Sequence, residues 1–405
     1  MSKTSRLLHR FAIQCDPPLR KQSNSDLVRL DAEITSIQNT LESVIHEGNH
    51  VQHALESHKG IISRVRDIPP DIWIEIFQYC LPDEDYIQPH PLRAPLLLGQ
   101  ICDSWRMVAL SMPCLWTSLS FRVQRPRHMW KAFLETWLTR SRTLSLSLEI
   151  SWDPSMGISY FNDHVLKLVT RSSKRWRSLR LSLPDDTLRN ILSNPLPLLQ
   201  TLQLNLVVPL STLSICPPAA PKLRSLSLLT IYQDPRCLFI PWQQLTHFHS
   251  QSCRSVPEYL QILRLCASLE RCRLRVESYS STPSEAPLLV PRLQSLTVIV
   301  GINEDSGPFL DSLVLPLLRD MKLTIQISES SVSYYTHVWP KLQLLSLVSR
   351  SSCPLRRLCL KGTIPHNADL IDCVQDISSL VDIVALYNGR NLVTNTVRDL
   401  LLRRA

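Results

Sequence analysis

Histidines, cysteines, paired carboxylates and a run of arginines are the side chains of this sequence whose spacing could support chemistry. His46, His50 and His53 fall at i, i+4 and i+7. That spacing puts imidazoles on one side of a helix, where they could face a metal ion. No carboxylate or cysteine completes the set, so a solvated helical face is expected. His247 and His249 would share one face of a strand, but no adjacent acid completes a catalytic pair. Cys266/Cys272 and Cys353/Cys359 are the closest cysteine pairs, and no C-x-x-C occurs, so zinc-site spacing is missing. The second cysteine of each pair lies in a leucine-rich segment and is expected to be a buried apolar residue. Asp185–Asp186, Glu304–Asp305 and Asp83-x-Asp85 read as turn residues. No G-x-S-x-G, H-E-x-x-H, P-loop or dinucleotide fingerprint is present, so nucleophilic, metalloprotease and phosphate-cradling readings drop out. No catalytic residue, metal or cofactor is expected of this chain.

The elements that hold these residues follow from composition and period. The 405 residues include 70 leucines, 29 prolines and only 8 glycines. This length exceeds one ordinary core and implies two or more units. Net charge is +9, with the densest cluster at Arg171, Lys174, Arg175, Arg177 and Arg180. Arg177 and Arg180 are expected to face solvent beside a buried Trp176, Leu179 and Leu181. Nucleic acid would need aromatics interleaved on that exposed face, so it is not an expected partner. No stretch approaches the roughly 18 apolar residues of a membrane span. Met1–Asp16 lacks the apolar core of a signal peptide, and the twelve cysteines show no framework spacing. An intracellular protein, cytoplasmic or nuclear and not secreted, is expected.

Beyond a polar lead (1–24), Ser25-Asp26 reads as a helix cap. A 3–4 apolar spacing then runs through Leu27, Leu30, Ile34, Ile37, Leu41, Val44, Gly48, Val51, Leu55, His58, Ile62 and Val65. Only Gly48 and His58 break it. One long helix with a narrow seam is expected. A second copy paired through 27–65, the downstream domain or another partner must cover that seam.

Residues 67–121 break the heptad. Pro69-Pro70 starts a new helix, with Asp71 in its first turn and Ile72, Ile76 and Phe77 on its apolar face. A polar, proline-containing loop (83–93) follows. A second apolar helix then runs from Pro95 through Ile101, Cys102 and Trp105 to Ala109. Pro113 ends it, and Leu115-Trp116 closes the unit.

The motifs Ile68-Pro69-Pro70-Asp71, Ile76-Phe77, Ile101-Cys102-Asp103-Ser104-Trp105-Arg106 and Pro113-Cys114-Leu115-Trp116, in this order, resemble the F-box-like domain found in fungal proteins. The resemblance covers about 55 residues. Trp73, where the pattern carries a smaller apolar residue, and the long loop are departures. The resemblance implies a helical trio docking the Skp-type adaptor of a cullin-RING (SCF) ubiquitin ligase. Ile68, Pro69, Pro70, Ile72, Ile76, Phe77, Leu81 and Leu97 would form the docking edge. Ile101, Trp105, Leu115 and Trp116 would hold the trio together.

The rest of the chain carries a period. The unit L-x-x-L-x-L, loosely matched, starts at positions 176, 199, 223, 245, 269, 293 and 318, in steps of 22 to 25 residues. Such steps suit leucine-rich repeats, each a short strand and a return segment that buries its apolar face only by stacking on neighbours. Leu144-x-Leu146-x-Leu148 is an earlier strand. Beyond 318, residues 341–350 are expected as a helix leading into a strand at 355, with a last unit at 380 and a helix over 394–403.

The expected fold is α+β. A long helix (25–66) and a three-helix F-box-like unit (67–121) precede an irregular leucine-rich-repeat α/β solenoid (122–405). With the resemblance, this predicts a non-catalytic substrate-recognition subunit of an SCF ligase that holds an unidentified protein target on its repeats. The rival expectation is a scaffold that self-associates through the heptad helix without a ligase.

Overall fold

The computed structural model describes residues 17–62, 68–123, 127–152, 163–205, 220–229, 240–277, 286–301, 304–326, 339–362, 365–387 and 389–402. Side chains of the first helix are described over 26–55. The fold is mixed α+β, with helices and a large multi-stranded sheet. The chain divides into two compact units, Met1–Trp73 and Ile74–Ala405.

The first unit holds α1 (Pro17–Ile62) and the start of α2 (Pro70–Tyr79). The helix α1 begins eight residues before the cap expected at Ser25, inside the expected polar lead. Prolines explain the difference: in a first turn the amide has no intrahelical partner to lose. Its apolar seam is uncovered, with Leu27, Leu30, Ile34, Ile37, Leu41, Val44, Val51 and Leu55 each 48–67% exposed. His58, Ile62 and Val65 lie outside the described side chains.

In the second unit α3 (Leu98–Ile101) and α4 (Asp103–Ser111) precede a 3-10 turn at Pro113–Trp116. Among the described residues fourteen strands follow: β1 (Ser118–Val123), β2 (Leu146–Trp152), β3 (Trp176–Ser182), β4 (Thr201–Asn205), β5 (Ser225–Leu228), β6 (His247–Ser255), β7 (Arg271–Glu277), β8 (Leu288–Leu289), β9 (Ser295–Gly301), β10 (Leu313–Val314), β11 (Asp320–Gln326), β12 (Arg357–Lys361), β13 (Asp382–Tyr387) and β14 (Arg390–Asn391). Between or after them lie α5 (Arg127–Arg140), α6 (Asp163–Thr170), α7 (Asp185–Leu192), α8 (Val256–Leu265), α9 (Gly307–Asp311), α10 (Lys341–Ser351), α11 (Asn367–Asp376) and α12 (Asn395–Leu402).

Twelve strands form one sheet in chain order, skipping only β8 and β10, which pair with each other. Every pairing is parallel except the terminal β13–β14. Parallel neighbours must each be reached by a crossover, so the return segments lie off the sheet. The strands β3–β7, β9, β11, β12 and β13 begin within two residues of the period's starting positions, β1, β8, β10 and β14 lie outside it, and α10 and α12 occupy the segments expected as helices. The sheet starts earlier than expected, since β1 begins within 67–121 and pairs with β2.

Side-chain alternation explains the register. The row Leu119, Leu148, Leu179, Leu202, Leu226, Phe248, Cys272, Leu296, Met321, Leu358 and Ile383 crosses eleven strands, and each member is at most 3% exposed. A leading row is buried as well: Leu199, Leu223, Leu245, Leu269, Leu293, Leu318, Leu355 and Leu380. Each such leucine contributes about 1.5–3 kcal/mol by leaving water. Backbone hydrogen bonds link the residues just before the strands. Gln200 N donates to Arg177 O, Arg224 N to Gln200 O, Thr246 N to Arg224 O, and so on to Val381 N and Arg356 O, all at 2.8–2.9 Å. Among the described residues β6 adds two buried polar side chains: Ser250, inside the register shift between His249 and Cys253, accepts a hydrogen bond from the buried Tyr259 hydroxyl at 3.0 Å, and Arg254, opposite Val276, pairs with Glu258 at 3.6 Å.

Candidate functional site

Two surfaces among the described residues are candidates: a set of exposed apolar residues on the short helices, and the outward face of the sheet. The first starts at Pro69, whose carbonyl accepts from Ile72 N and Trp73 N at 3.1 and 3.3 Å and opens α2. Helical spacing then splits the residues. Trp73 and Phe77 are 7% and 0% exposed, while Ile72 and Ile76 are 47% and 37% exposed on another face. Pro69 and Pro70 are exposed, and Ile68, Leu81 and Leu97 are half-buried.

Phe77 does not belong to a surface edge. Its ring packs edge-on against Trp105 at 5.2 Å, because the α2 face that carries it turns inward. Ile101 is corrected in the opposite sense: expected inside, it is 52% exposed. The reason is a break in the helix expected over 95–109. Cys102 is extended (φ −158°, ψ 167°) and its Sγ accepts from Trp105 N at 3.5 Å, capping α4. The break ends α3 and leaves Ile101 outside. Trp105 is half-buried, whereas Leu115 and Trp116 are 0% and 2% exposed. Trp116 Nε1 donates to Ala109 O at 3.0 Å, and its ring meets Trp137 at 4.9 Å and Arg140 at 4.4 Å. Met107 (70%) and Leu110 (37%) add exposed apolar surface on α4.

The loop over 83–93 does not stand apart from its surroundings. Tyr86 and Ile87 are buried. The Tyr86 hydroxyl lies 2.7 Å from Ser178 Oγ, its ring lies under Arg180 at 4.6 Å, and Ser120 N donates to Ile87 O. Burial raises the Tyr86 pKa. The tyrosine in an otherwise polar loop is the signal that sequence reasoning passed over.

On the sheet, Arg177 is exposed and Arg180 half-buried beside fully buried Trp176, Leu179 and Leu181. Members of the basic cluster are tied up locally. Arg175 donates to Leu144 O and Ser141 Oγ, and Arg180 donates to Gln203 and pairs with Glu149 at 3.3 Å. Further along, the outward rows read His247–Arg271–Ser295–Asp320–Arg357–Asp382, then His249–Arg273–Thr297–Lys322–Cys359–Val384, then Arg275–Ile299–Thr324–Lys361–Leu386. Cys359 sits half-buried on this outward side, not inside as expected, because it falls one residue out of phase with Leu358 and Leu360. Cys272 is buried as expected.

His247 lies beside Arg271, with the Glu270 carboxylate acting on it in the opposite sense, and His249 lies beside Arg273. Burial first, and then Arg271 or Arg273, lowers both pKa values from 6.5. The unfolded chain therefore binds more protons than the folded one on acidification. Their contribution is complete above 6.5 and declines as pH falls toward the folded values. His249→Gln is expected to flatten the fall of melting temperature between about pH 7 and 5, measured by thermal denaturation against pH.

Among the described residues, one group of potential metal ligands comes within 4.8 Å: Cys253, Glu277 and Glu304. It does not include His46, His50 or His53. Carboxylate neighbours and burial push the Cys253 thiol up to about 11, with burial the larger cause. Glu304 accepts from Gly301 N, and Asp305 from Gly307 N, which are turn-forming roles. No described helix is long and apolar enough to cross a membrane. No protein-family model matches the chain, and a comparison with curated proteins returns no match.

Proposed function

We propose that this chain is a non-catalytic substrate-recognition subunit of an SCF-type cullin-RING ubiquitin ligase. Its F-box-like helices would dock a Skp-type adaptor and its repeat-like sheet a protein target, while partner subunits transfer ubiquitin. The observation that carries the reading is Ile72 and Ile76, solvent-exposed four residues apart on α2, in a segment whose ordered motifs resemble the F-box. Exposed aliphatic residues beside a packed aromatic core are what a docking edge requires. A sheet of parallel strands in chain order, with one buried leucine row, supports reading 122–405 as an irregular leucine-rich-repeat solenoid. Holding a target beside the transferring enzyme raises its effective concentration.

The test is co-purification of the full chain with a recombinant Skp-type adaptor. Wild type should bind, and Ile72→Asp/Ile76→Asp should lose about a hundredfold or more in affinity while keeping its melting temperature. Absence of wild-type binding, or equal binding by the variant, would overturn the docking reading. The uncovered seam of α1 favours a second reading, a scaffold self-associating through residues 27–65. Self-association by light scattering together with no adaptor binding would select it.

A further inference from the structure

The outward face of the sheet carries a groove of about 890 Å³ across the strand ends, lined by residues from Leu229 after β5 to Leu386 on β13 and Gly389. Among the described residues its cations are Arg273, Arg275 and Lys361, and no described Asp or Glu lines it. Its floor is aliphatic at Leu229, Ile299, Ile325 and Leu386, with no aromatic residue among the described lining. Register explains the mixture: Arg275, Ile299, Thr324, Lys361 and Leu386 are direct neighbours on five adjacent strands.

These cations differ from others on the same sheet. Arg180 pairs with Glu149, and Arg357 with Asp320 at 2.9 Å. Among the described residues Arg273, Arg275 and Lys361 have no ion pair, and Arg275 Nε is buried without a hydrogen-bond partner. Glu277 and Glu304 converge on Cys253 and do not line the groove. A buried unpaired donor is costly, and a carboxylate ligand would remove that cost with a charge-assisted bond.

We propose that the groove binds an extended acidic polypeptide segment in which carboxylates alternate with aliphatic side chains. Carboxylates would meet Arg273, Arg275 and Lys361, and the aliphatic side chains would cover Ile299 and its neighbours. Strands lie about 4.8 Å apart, so the six steps from β5 to β13 span about 29 Å, the reach of about nine extended residues. Single-stranded nucleic acid fits less well, because its bases need aromatic platforms. This proposal rests on reading the sheet as the target-binding surface. It is independent of the adaptor, which its assay does not contain.

Fluorescence anisotropy of the full chain with a labelled nine-residue peptide of alternating Glu and Leu tests it. The Glu peptide should bind at least tenfold tighter than the same peptide with Gln, and Arg273→Gln/Arg275→Gln/Lys361→Gln should erase that preference. Arg273→Gln/Lys361→Gln, confined to exposed positions, should reduce it severalfold and serves if the triple variant does not fold. Ile299→Asp should weaken the Glu peptide at least tenfold. Equal binding of the Gln peptide, an unchanged preference in the variants, or equal binding of a nine-nucleotide single-stranded DNA would overturn the proposal.

Discussion

Phe77→Ala is expected to destabilise the protein by about 3–4 kcal/mol, the cost of a buried aromatic truncated to a cavity. Ile76→Ala, one residue earlier, should cost under about 1 kcal/mol. Phe77 is 0% exposed and packed on Trp105, whereas Ile76 keeps 37% of its surface in water. Urea denaturation followed by tryptophan fluorescence measures the difference, read as a shift of midpoint at constant slope. The contrast also governs how docking variants are chosen. A charge at 77 would disrupt the packing on Trp105, so a loss of the proposed adaptor binding could not report a contact. A charge at 76 or 72 enters a side chain that water already reaches. Similar stability losses at 76 and 77 would show that α2 does not face inward through Phe77.

Much of the fold is legible because two periods dominate the chain. A leucine every second residue, repeated at about 24-residue steps, leaves a strand only one way to face. Leu202, Leu226 and Leu296 therefore land in one buried row, and even Cys272 and Met321 are carried into it by position. The same phase argument, applied strictly, would have put Cys359 outside. What the sequence hides is local. Cys102 breaks a helix through its sulfur, a cap that the usual Ser, Thr, Asp and Asn preference does not anticipate from a cysteine. That break turns Ile101 from packing residue to surface residue. Tyr86 shows the other limit, since its partners Ser178 and Arg180 lie about ninety residues away and only the folded sheet brings them together.

The proposed docking edge and the proposed binding groove are legible to different degrees for the same reason. Motif order marks out Ile72 and Ile76 within one helix, where spacing alone sets the exposed face. Arg273, Arg275 and Lys361 belong to two strands separated by β9 and β11. Their grouping depends on sheet register, and residues between 326 and 357 hide it from any linear reading.

Gly362→Ala is expected to cost about 3 kcal/mol, and Gly389→Ala about 1 kcal/mol, although both glycines have nearly the same backbone angle. Gly362 has φ +78° and Gly389 +77°, so each substitution carries the left-handed strain of an L-residue. Only at Gly362 is there also no room. An added Cβ would overlap the Ile325 carbonyl oxygen and lie 3.1 Å from its carbon, whereas nothing lies within 4 Å at Gly389. The obstructing atom is backbone and has no rotamer to change. Retreat is blocked as well, because Gly362 N donates to Leu386 O at 2.8 Å, and moving away breaks that link between β12 and β13. Strain of this kind adds about 1–3 kcal/mol to the angular penalty. Chemical denaturation of the two variants side by side measures the difference, and equal losses would mean that the chain does not approach Ile325 so closely. Gly362 also walls the groove beside Lys361. Gly389 lines the groove too, but an added Cβ there meets no described atom, so Gly362→Ala should weaken the Glu–Leu peptide more than Gly389→Ala does.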